Sequence, residues 1–137
     1  MLREYLLDLE SAHRLGRQPI GTGSPAGASP NNLLVSPGET PWEDLLKGMK
    51  KGIVIDQTMG AWAGNPYTGT VTGNIALGYL VVDGKKVGRV KNCMFSLNVF
   101  THLKSNLLAV SKETKDLGRV ILPYCLIEGV SIAGRDS

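Results

Sequence analysis

Short apolar runs separated by glycine-rich turns recur along the chain and predict an α+β protein made mainly of antiparallel strands. The runs typical of strands lie at residues 53–55, 75–82, 86–91, 107–110, 120–122, 125–127 and 130–132. Asp83-Gly84 has the composition of a two-residue type I′ hairpin turn, which needs positive φ at both positions. No internal repeat is visible, so we expect a single domain over residues 1–137.

The best-defined helix is predicted to begin at Thr40-Pro41-Trp42-Glu43. This sequence has the form of a capping box, in which the threonine hydroxyl accepts the Glu43 N–H and the glutamate carboxylate accepts the Thr40 N–H. Proline suits the first helical position. The predicted apolar face consists of Trp42, Leu45, Leu46 and Met49. Gly52 is the predicted end of the helix.

Two shorter helices are also predicted. Residues 1–15 fit either a helix or a strand that runs into a short helix, with Gly16 as the C-terminal glycine. Ser96 is the predicted cap of the other helix. The inward positions of that helix are Val99, Phe100, Leu103 and Leu107.

Residues 17–39 are rich in glycine, proline, serine and asparagine and predict a long loop. The loop opens with Gly21-x-Gly23, but the next glycine, Gly27, is misplaced for a nucleotide-binding loop. No strand–turn–helix pattern surrounds it either. We therefore reject a nucleotide site.

Composition predicts a soluble globular protein, since 42% of the 137 residues are hydrophobic and 20% are charged. No apolar run is long enough to span a bilayer, and the acidic start is unlike a signal peptide, so we expect a cytoplasmic protein without membrane contact. The net charge of +3 is spread over several segments. Without aromatic platforms or a recognised reading element, this charge favours a solvated surface over nucleic-acid binding.

The residues that could carry catalysis are few. His13 and His102 each lack a histidine or glutamate partner at helical spacing, which excludes a complete zincin-like site. Cys93 and Cys125 lack C-x-x-C spacing, so we expect two reduced, buried thiols. The sequence therefore predicts no catalytic residue, no metal site and no cofactor.

One constrained segment stands out, Gly64-Asn65-Pro66-Tyr67-Thr68-Gly69. Proline fixes its own φ and biases Asn65 toward extended backbone. The flanking glycines permit positive φ or close approach of another chain. An ordinary tight turn explains the segment, and so does a loop that lines a peptide-binding cleft.

Several segments resemble the TldD/PmbA family, peptidase-related proteins once described as modulators of DNA gyrase. In chain order they are Tyr5-Leu6-Leu7-Asp8, Pro30-Asn31-Asn32-Leu33, residues 64–69 with Val71-Thr72-Gly73, Asp83-Gly84, and Leu126-Ile127-Glu128-Gly129-Val130-Ser131-Ile132-Ala133-Gly134. The most specific match is the Asn-Pro-x-Thr-Gly loop at residues 65–69.

The resemblance implies a bipartite protease. In that family a TldD-like subunit carries a His-Glu-x-x-x-His zinc site and pairs with a PmbA-like subunit that lacks one, and the pair cleaves unfolded or modified peptides. This chain is similar to the last third of such a protein, and no cysteine lies within residues 112–120, which favours the PmbA-like type. The substrate-binding residues implied are Asn65, Pro66, Thr68, Gly69 and Thr72.

Three functions remain open at this point. The chain is expected to be the non-catalytic C-terminal portion of the protease complex, inactive alone, with a TldD-like subunit or a second copy of itself and an extended peptide as partners. A second possibility is a stand-alone binding or scaffold module. A cysteine hydrolase is the least favoured of the three. Residues 64–69 and the strands of residues 126–132 are the predicted association surfaces.

Overall fold

The computed structural model describes residues 4–20, 27–60, 63–65 and 67–134. These residues form two compact units. The first unit takes the described residues up to Ser36 together with Lys115–Leu122, and the second takes Pro37–Thr114 and the described residues from Pro123 onward. The class is α+β with mainly antiparallel strands, as the sequence predicts.

The first unit contains helix α1 (Leu9–Arg14) and strand β1 (Leu33–Leu34). Asp8 caps α1 by accepting the Ser11 N–H at 2.7 Å, and Gly16 follows the helix with φ +60°, so the predicted short helix and its C-terminal glycine are confirmed. Strand β1 pairs in parallel with residues 120–121. The predicted loop of residues 17–39 is therefore interrupted by a short strand.

The second unit is built around a five-stranded sheet. Its strands are β2 (Lys51–Met59), β3 (Thr70–Val82), β4 (Lys85–Val90), β5 (Cys93–Asn98) and β8 (Ser131–Gly134). Strand β3 pairs with β2 on one side, and its other side is shared by β4 and β5, so the order is β2-β3-β5-β8 with β4 also on β3. All of these pairs are antiparallel.

The predicted hairpin turn between β3 and β4 is confirmed. Asp83 has φ 47° and Gly84 has φ 74°. The turn also binds the segment just before β2, because the Gly84 N–H donates to the Met49 carbonyl oxygen at 2.8 Å and the Asp83 N–H donates to that of Lys50 at 2.8 Å.

Helix α2 (Trp42–Lys47) exists where the sequence predicts a helix, but its cap differs. Pro41 is the N-cap residue and no side chain of the predicted capping box caps the helix. Thr40 instead lies in a parallel bridge with Ser111, which draws its backbone into a strand-like pairing. The predicted end at Gly52 is also wrong: α2 ends with Gly48 as its cap, and Gly52 lies in β2.

The helix predicted to be capped by Ser96 starts later than expected. Ser96 belongs to β5, where it pairs with both β3 and β8, so the helical turn α3 (Val99–Thr101) begins only after Asn98. A π-helical turn, His102–Asn106, follows. Phe100 and Leu103 are consequently 62% and 53% exposed, and the predicted inward face is wrong at both.

Strands β6 (Leu107–Asp116) and β7 (Val120–Ile127) form a three-stranded sheet with β1 in the order β1-β7-β6. The two strands predicted at residues 120–122 and 125–127 are one strand that continues through Pro123.

Both cysteines are free, but Cys93 is only half-buried and Cys125 is exposed, so the predicted burial is wrong. None of the helices in the described residues is long and apolar enough to cross a membrane.

Candidate binding surfaces

The loop singled out by the sequence is held by its own polar groups. Asn65 Oδ1 accepts the backbone N–H groups of Tyr67 at 3.0 Å and Thr68 at 3.4 Å. Thr68 Oγ1 donates to the Asn65 carbonyl oxygen at 3.2 Å, and the Thr70 N–H donates to the same oxygen at 3.0 Å. Asn65 therefore organises a tight turn. Pro66 lies outside the described residues.

The loop is also anchored to the start of α3. Asn98 Nδ2 donates to the Thr68 carbonyl oxygen at 2.7 Å, and the Val99 N–H donates to that of Gly69 at 2.8 Å. Gly69 has φ +74°, and a Cβ atom there would collide with the Phe100 ring. Glycine is thus required at this position by both its backbone conformation and its neighbour.

The structure brings Asn65, Thr68 and Gly69 together but leaves Thr72 apart from them. Thr72 lies in β3, where it is half-buried and pairs with Ser96. The threonine that contacts the loop is Thr70, whose hydroxyl lies 3.1 Å from that of Thr68. Tyr67, 94% exposed, is the side chain that the loop presents to solvent.

A larger concavity, which we call the apolar groove, lies elsewhere in the second unit and has a volume of about 680 Å³. Its apolar lining includes Leu45, Ile53, Phe95, Leu97, Leu108 and Leu126. The predicted association segment, residues 126–132, contributes to this lining, whereas the described part of residues 64–69 does not. The sequence signal for the rest of the groove is weak because α2, β2, β5, β6 and β7 each supply only a few residues.

A second cavity of about 470 Å³, the aromatic pocket, is lined by Trp42, Val54, Asp56, Tyr79, Lys86 and Tyr124. The ring centroids of Trp42 and Tyr124 lie 4.4 Å apart with the planes tilted by 34°. The Lys86 ammonium lies 5.0 Å from the centroid of the Tyr79 ring, a cation–π contact. Trp42, Val54 and Tyr124 line the groove as well, so the two cavities adjoin.

The surroundings of His102 and Cys125 are those of structural residues. His102 Nδ1 lies 2.8 Å from the Asn98 carbonyl oxygen and Nε2 lies 3.3 Å from that of Gly129, so both ring nitrogens face backbone. Although Cys125 is exposed, desolvation by neighbouring groups raises the pKa of its thiol, which opposes formation of the thiolate. Within residues 4–20, 27–60, 63–65 and 67–134, no group of three His, Cys, Asp or Glu side chains is placed to hold a metal ion.

Comparison with solved structures gives relatives of known fold. A crystal structure named as a modulator of DNA gyrase from Thermotoga maritima is 33% identical over 97% of this chain, with a TM-score of 0.82. A protein of the same designation from Bacteroides thetaiotaomicron is 26% identical over 98% of this chain, with a TM-score of 0.72. TldE from Thermococcus kodakarensis shares the fold, with a TM-score of 0.79 at 24% identity over 93% of this chain.

This chain spans 31%, 29% and 30% of those three proteins, or about a third of each. The comparison with curated proteins gave no match. The sequence profile of the PmbA/TldA metallopeptidase C-terminal domain matches residues 1–134. Because this match covers nearly the whole sequence, the chain belongs to the TldD/PmbA family and corresponds to its C-terminal domain.

Proposed function

We propose that this chain is the non-catalytic, PmbA-like C-terminal portion of a TldD/PmbA-type metallopeptidase complex, where it binds extended peptides and pairs with another subunit. Family membership supports the context, because the family profile is that of a metallopeptidase domain. Zinc chemistry in this proposal belongs to a TldD-like partner. The cytoplasm is the proposed location.

The apolar groove is the observation that carries the peptide-binding part. Apolar residues of its lining remain exposed to solvent, as Leu108 is at 56% and Ile132 at 39%. Strands β2 and β8 end the described sheet and both contribute to the lining. A strand at the end of a sheet offers N–H and C=O groups to an added strand, and the apolar lining selects alternate side chains of an extended peptide.

In this proposal the loop at residues 64–69 contributes a fixed backbone turn to peptide binding. The side-chain oxygens of Asn65 and Thr68 satisfy the loop's own backbone, so we assign them the role of fixing the turn that presents Tyr67. Pro66, Gly69 and Thr72 are included with them as substrate-binding residues on the strength of the family motif.

Peptide binding is tested with a fluorescein-labelled peptide of alternating valine and threonine, titrated with the protein and followed by anisotropy. Leu108→Asn removes apolar surface from the groove and is expected to weaken binding by about five- to tenfold. Val87→Asn is the matched control, since Val87 is 58% exposed on β4 and lies outside the groove lining. Equal affinities of the two variants, or no binding by the wild type, would leave the scaffold alternative.

Subunit pairing is supported by exposed apolar residues in the first unit. Only Leu7 and Ala12 are buried there among its described apolar residues, while Leu9 is 65% and Leu34 is 69% exposed. Large exposed apolar patches mark association sites. We expect a two-fold dimer on a sizing column with light scattering, and Leu34→Asp is expected to weaken it more than Val87→Asp. A strict monomer at ~0.1 mM, which corresponds to less than ~5.5 kcal/mol of association, contradicts self-pairing.

The absence of catalysis is tested directly. The purified chain is expected to bind no stoichiometric zinc by elemental analysis and to cleave no casein, since the sequence offers only two histidines. Co-purification with a His-Glu-bearing partner should bring chelator-sensitive proteolysis. One zinc per chain together with proteolysis by the chain alone overturns the non-catalytic assignment.

A further inference from the structure

The aromatic pocket is built around Tyr79 by irregularities in both of the strands that flank it. On β2, residues 55 and 57 pair with residues 78 and 77, so Asp56 is the extra residue of a β-bulge. On β4, Lys86 pairs with Val81 and Gly88 pairs with Leu80, so Val87 is the extra residue of a second bulge. Bulges redirect side chains and are frequent beside functional sites.

The bulge in β4 decides which charges face the pocket. Lys86 and Arg89 are three residues apart, and a regular strand would place them on opposite faces. With Val87 as the extra residue, Arg89 pairs with Tyr79 and Lys86 pairs with Val81, two residues along β3. Cross-strand partners share a face, so both cations lie on the face that bears Tyr79. Lys85 pairs with Val82 and lies on the other face.

The pocket therefore places three aromatic rings beside positively charged side chains. Trp42, Tyr79 and Tyr124 offer flat apolar surface, which favours a planar ligand group. The lining itself holds one cation, Lys86, and one carboxylate, Asp56. Arg89 lies outside the lining but pairs with Tyr79, so it adds a second cation on the same face of the sheet. The carboxylate near Trp42 from β6, that of Glu113, accepts the Trp42 N–H at 2.8 Å. The ligand that complements this arrangement carries an aromatic ring and an anion close together.

We propose that the aromatic pocket binds an aromatic side chain that adjoins a carboxylate in an extended peptide. The ring packs against Trp42 and Tyr124, and the carboxylate pairs with Lys86 and Arg89. This inference rests on the proposed peptide-binding function, because the pocket adjoins the groove through shared lining residues. It adds a preference for an aromatic ring next to a carboxylate, which the groove alone does not provide. The carboxylate is supplied either by an acidic side chain or by the C-terminus of the peptide.

The test uses the full chain and four fluorescein-labelled peptides that share one valine–threonine segment. They end in tyrosine with a free carboxylate, in tyrosine amide, in tyrosine–glutamate amide, and in alanine with a free carboxylate. We expect the tyrosine acid, the tyrosine–glutamate amide or both to bind about tenfold more tightly than the tyrosine amide and the alanine peptide. Which of the two binds tightly identifies the source of the carboxylate.

Variants of the basic residues test which side chains cause the preference for a carboxylate. Lys86→Gln and Arg89→Gln are expected to remove most of this tenfold difference, whereas Lys85→Gln, with the same change in net charge on the other face, is expected to retain it. The proposal is overturned if neither the tyrosine acid nor the tyrosine–glutamate amide binds the wild type more tightly than the tyrosine amide, or if Lys85→Gln loses the preference to the same extent. If the alanine peptide still binds and loses affinity in Leu108→Asn, the groove function stands although the pocket fails. No binding of any peptide overturns both.

Discussion

The carboxylate of Glu113 accepts the backbone N–H of Trp42 at 2.8 Å, although 71 positions separate the two residues in the chain. Helix α2 is thus capped by a side chain from β6 instead of one from its own flank. The same contact fixes Trp42 at the boundary between the apolar groove and the aromatic pocket. The cap of one short helix therefore also positions a ring that both cavities use.

Replacing Glu113 by alanine is expected to cost about 1 kcal/mol of unfolding free energy, the usual worth of an N-terminal cap. Glu113→Gln keeps an acceptor oxygen and should lose less. Glu43→Ala, which removes the acidic residue of the predicted capping box, serves as the control and should have the smaller effect. Urea denaturation of the three variants measures the difference, and a larger loss in Glu43→Ala contradicts the cap seen here.

Gly84→Val tests the hairpin. A β-branched residue is strained at φ 74°, and a Cβ atom at this position would lie 2.9 Å from Lys47 Cα. We expect a loss of at least ~2 kcal/mol, seen as a lower midpoint in thermal unfolding. Gly88→Val is a suitable comparison, since Gly88 is on the next strand with nothing within 4 Å of its Cβ position. An unchanged midpoint in Gly84→Val argues against the turn.

Ser111 is fully buried, and its hydroxyl joins two strands. Its Oγ donates to the Glu113 carbonyl oxygen at 2.6 Å and accepts the Tyr124 N–H at 2.7 Å. Ser111→Ala deprives both groups of this partner and should cost ~1–3 kcal/mol. Ser131→Ala, on the exposed strand β8, should be close to neutral in the same urea experiment. Equal stability of the two variants would show that the hydroxyl contributes little.

The stability of the first unit is expected to depend on pH through Asp8. Hydrogen bonds from Ser11 at the start of α1 lower the pKa of its carboxyl. A lowered folded-state pKa means that the stabilisation is present above the unfolded-state pKa of about 4 and is lost as pH falls through the folded value. We expect an NMR titration of Asp8 to fall below the usual aspartate range, and Asp8→Asn to flatten the acid side of the stability profile. A titration at or above that range contradicts the cap.

The elements that the sequence predicts well are those decided by neighbouring residues. Asp83-Gly84 specifies a turn whose backbone requirements few other dipeptides meet, and Gly16 marks the end of α1 for the same reason. The predicted elements that failed were decided by distant partners. Thr40 forms a bridge with Ser111, Ser96 pairs with two strands, and β7 continues through Pro123 because its neighbours hold it there.

The candidate sites divide in the same way. The turn at Asn65 follows from its own residues and the family motif, whereas its attachment to Asn98 depends on the pairing of β3 with β5. The aromatic pocket has no signal in the sequence. Lys86 and Arg89 have the spacing of opposite faces in a strand, and only the strand register shows that they share one.

The bulge at Val87 makes the number of residues in β4 as important as their identity. A homologue that kept both basic residues at this spacing but lacked the bulge would turn one cation to the opposite side of the sheet. A homologue that lost Val87 together with the bulge would have the two cations two positions apart, and they would again share a face. Retention of ligand choice therefore requires the bulge and the length of the strand to change together, so an alignment gap at Val87 does not by itself signal a new specificity.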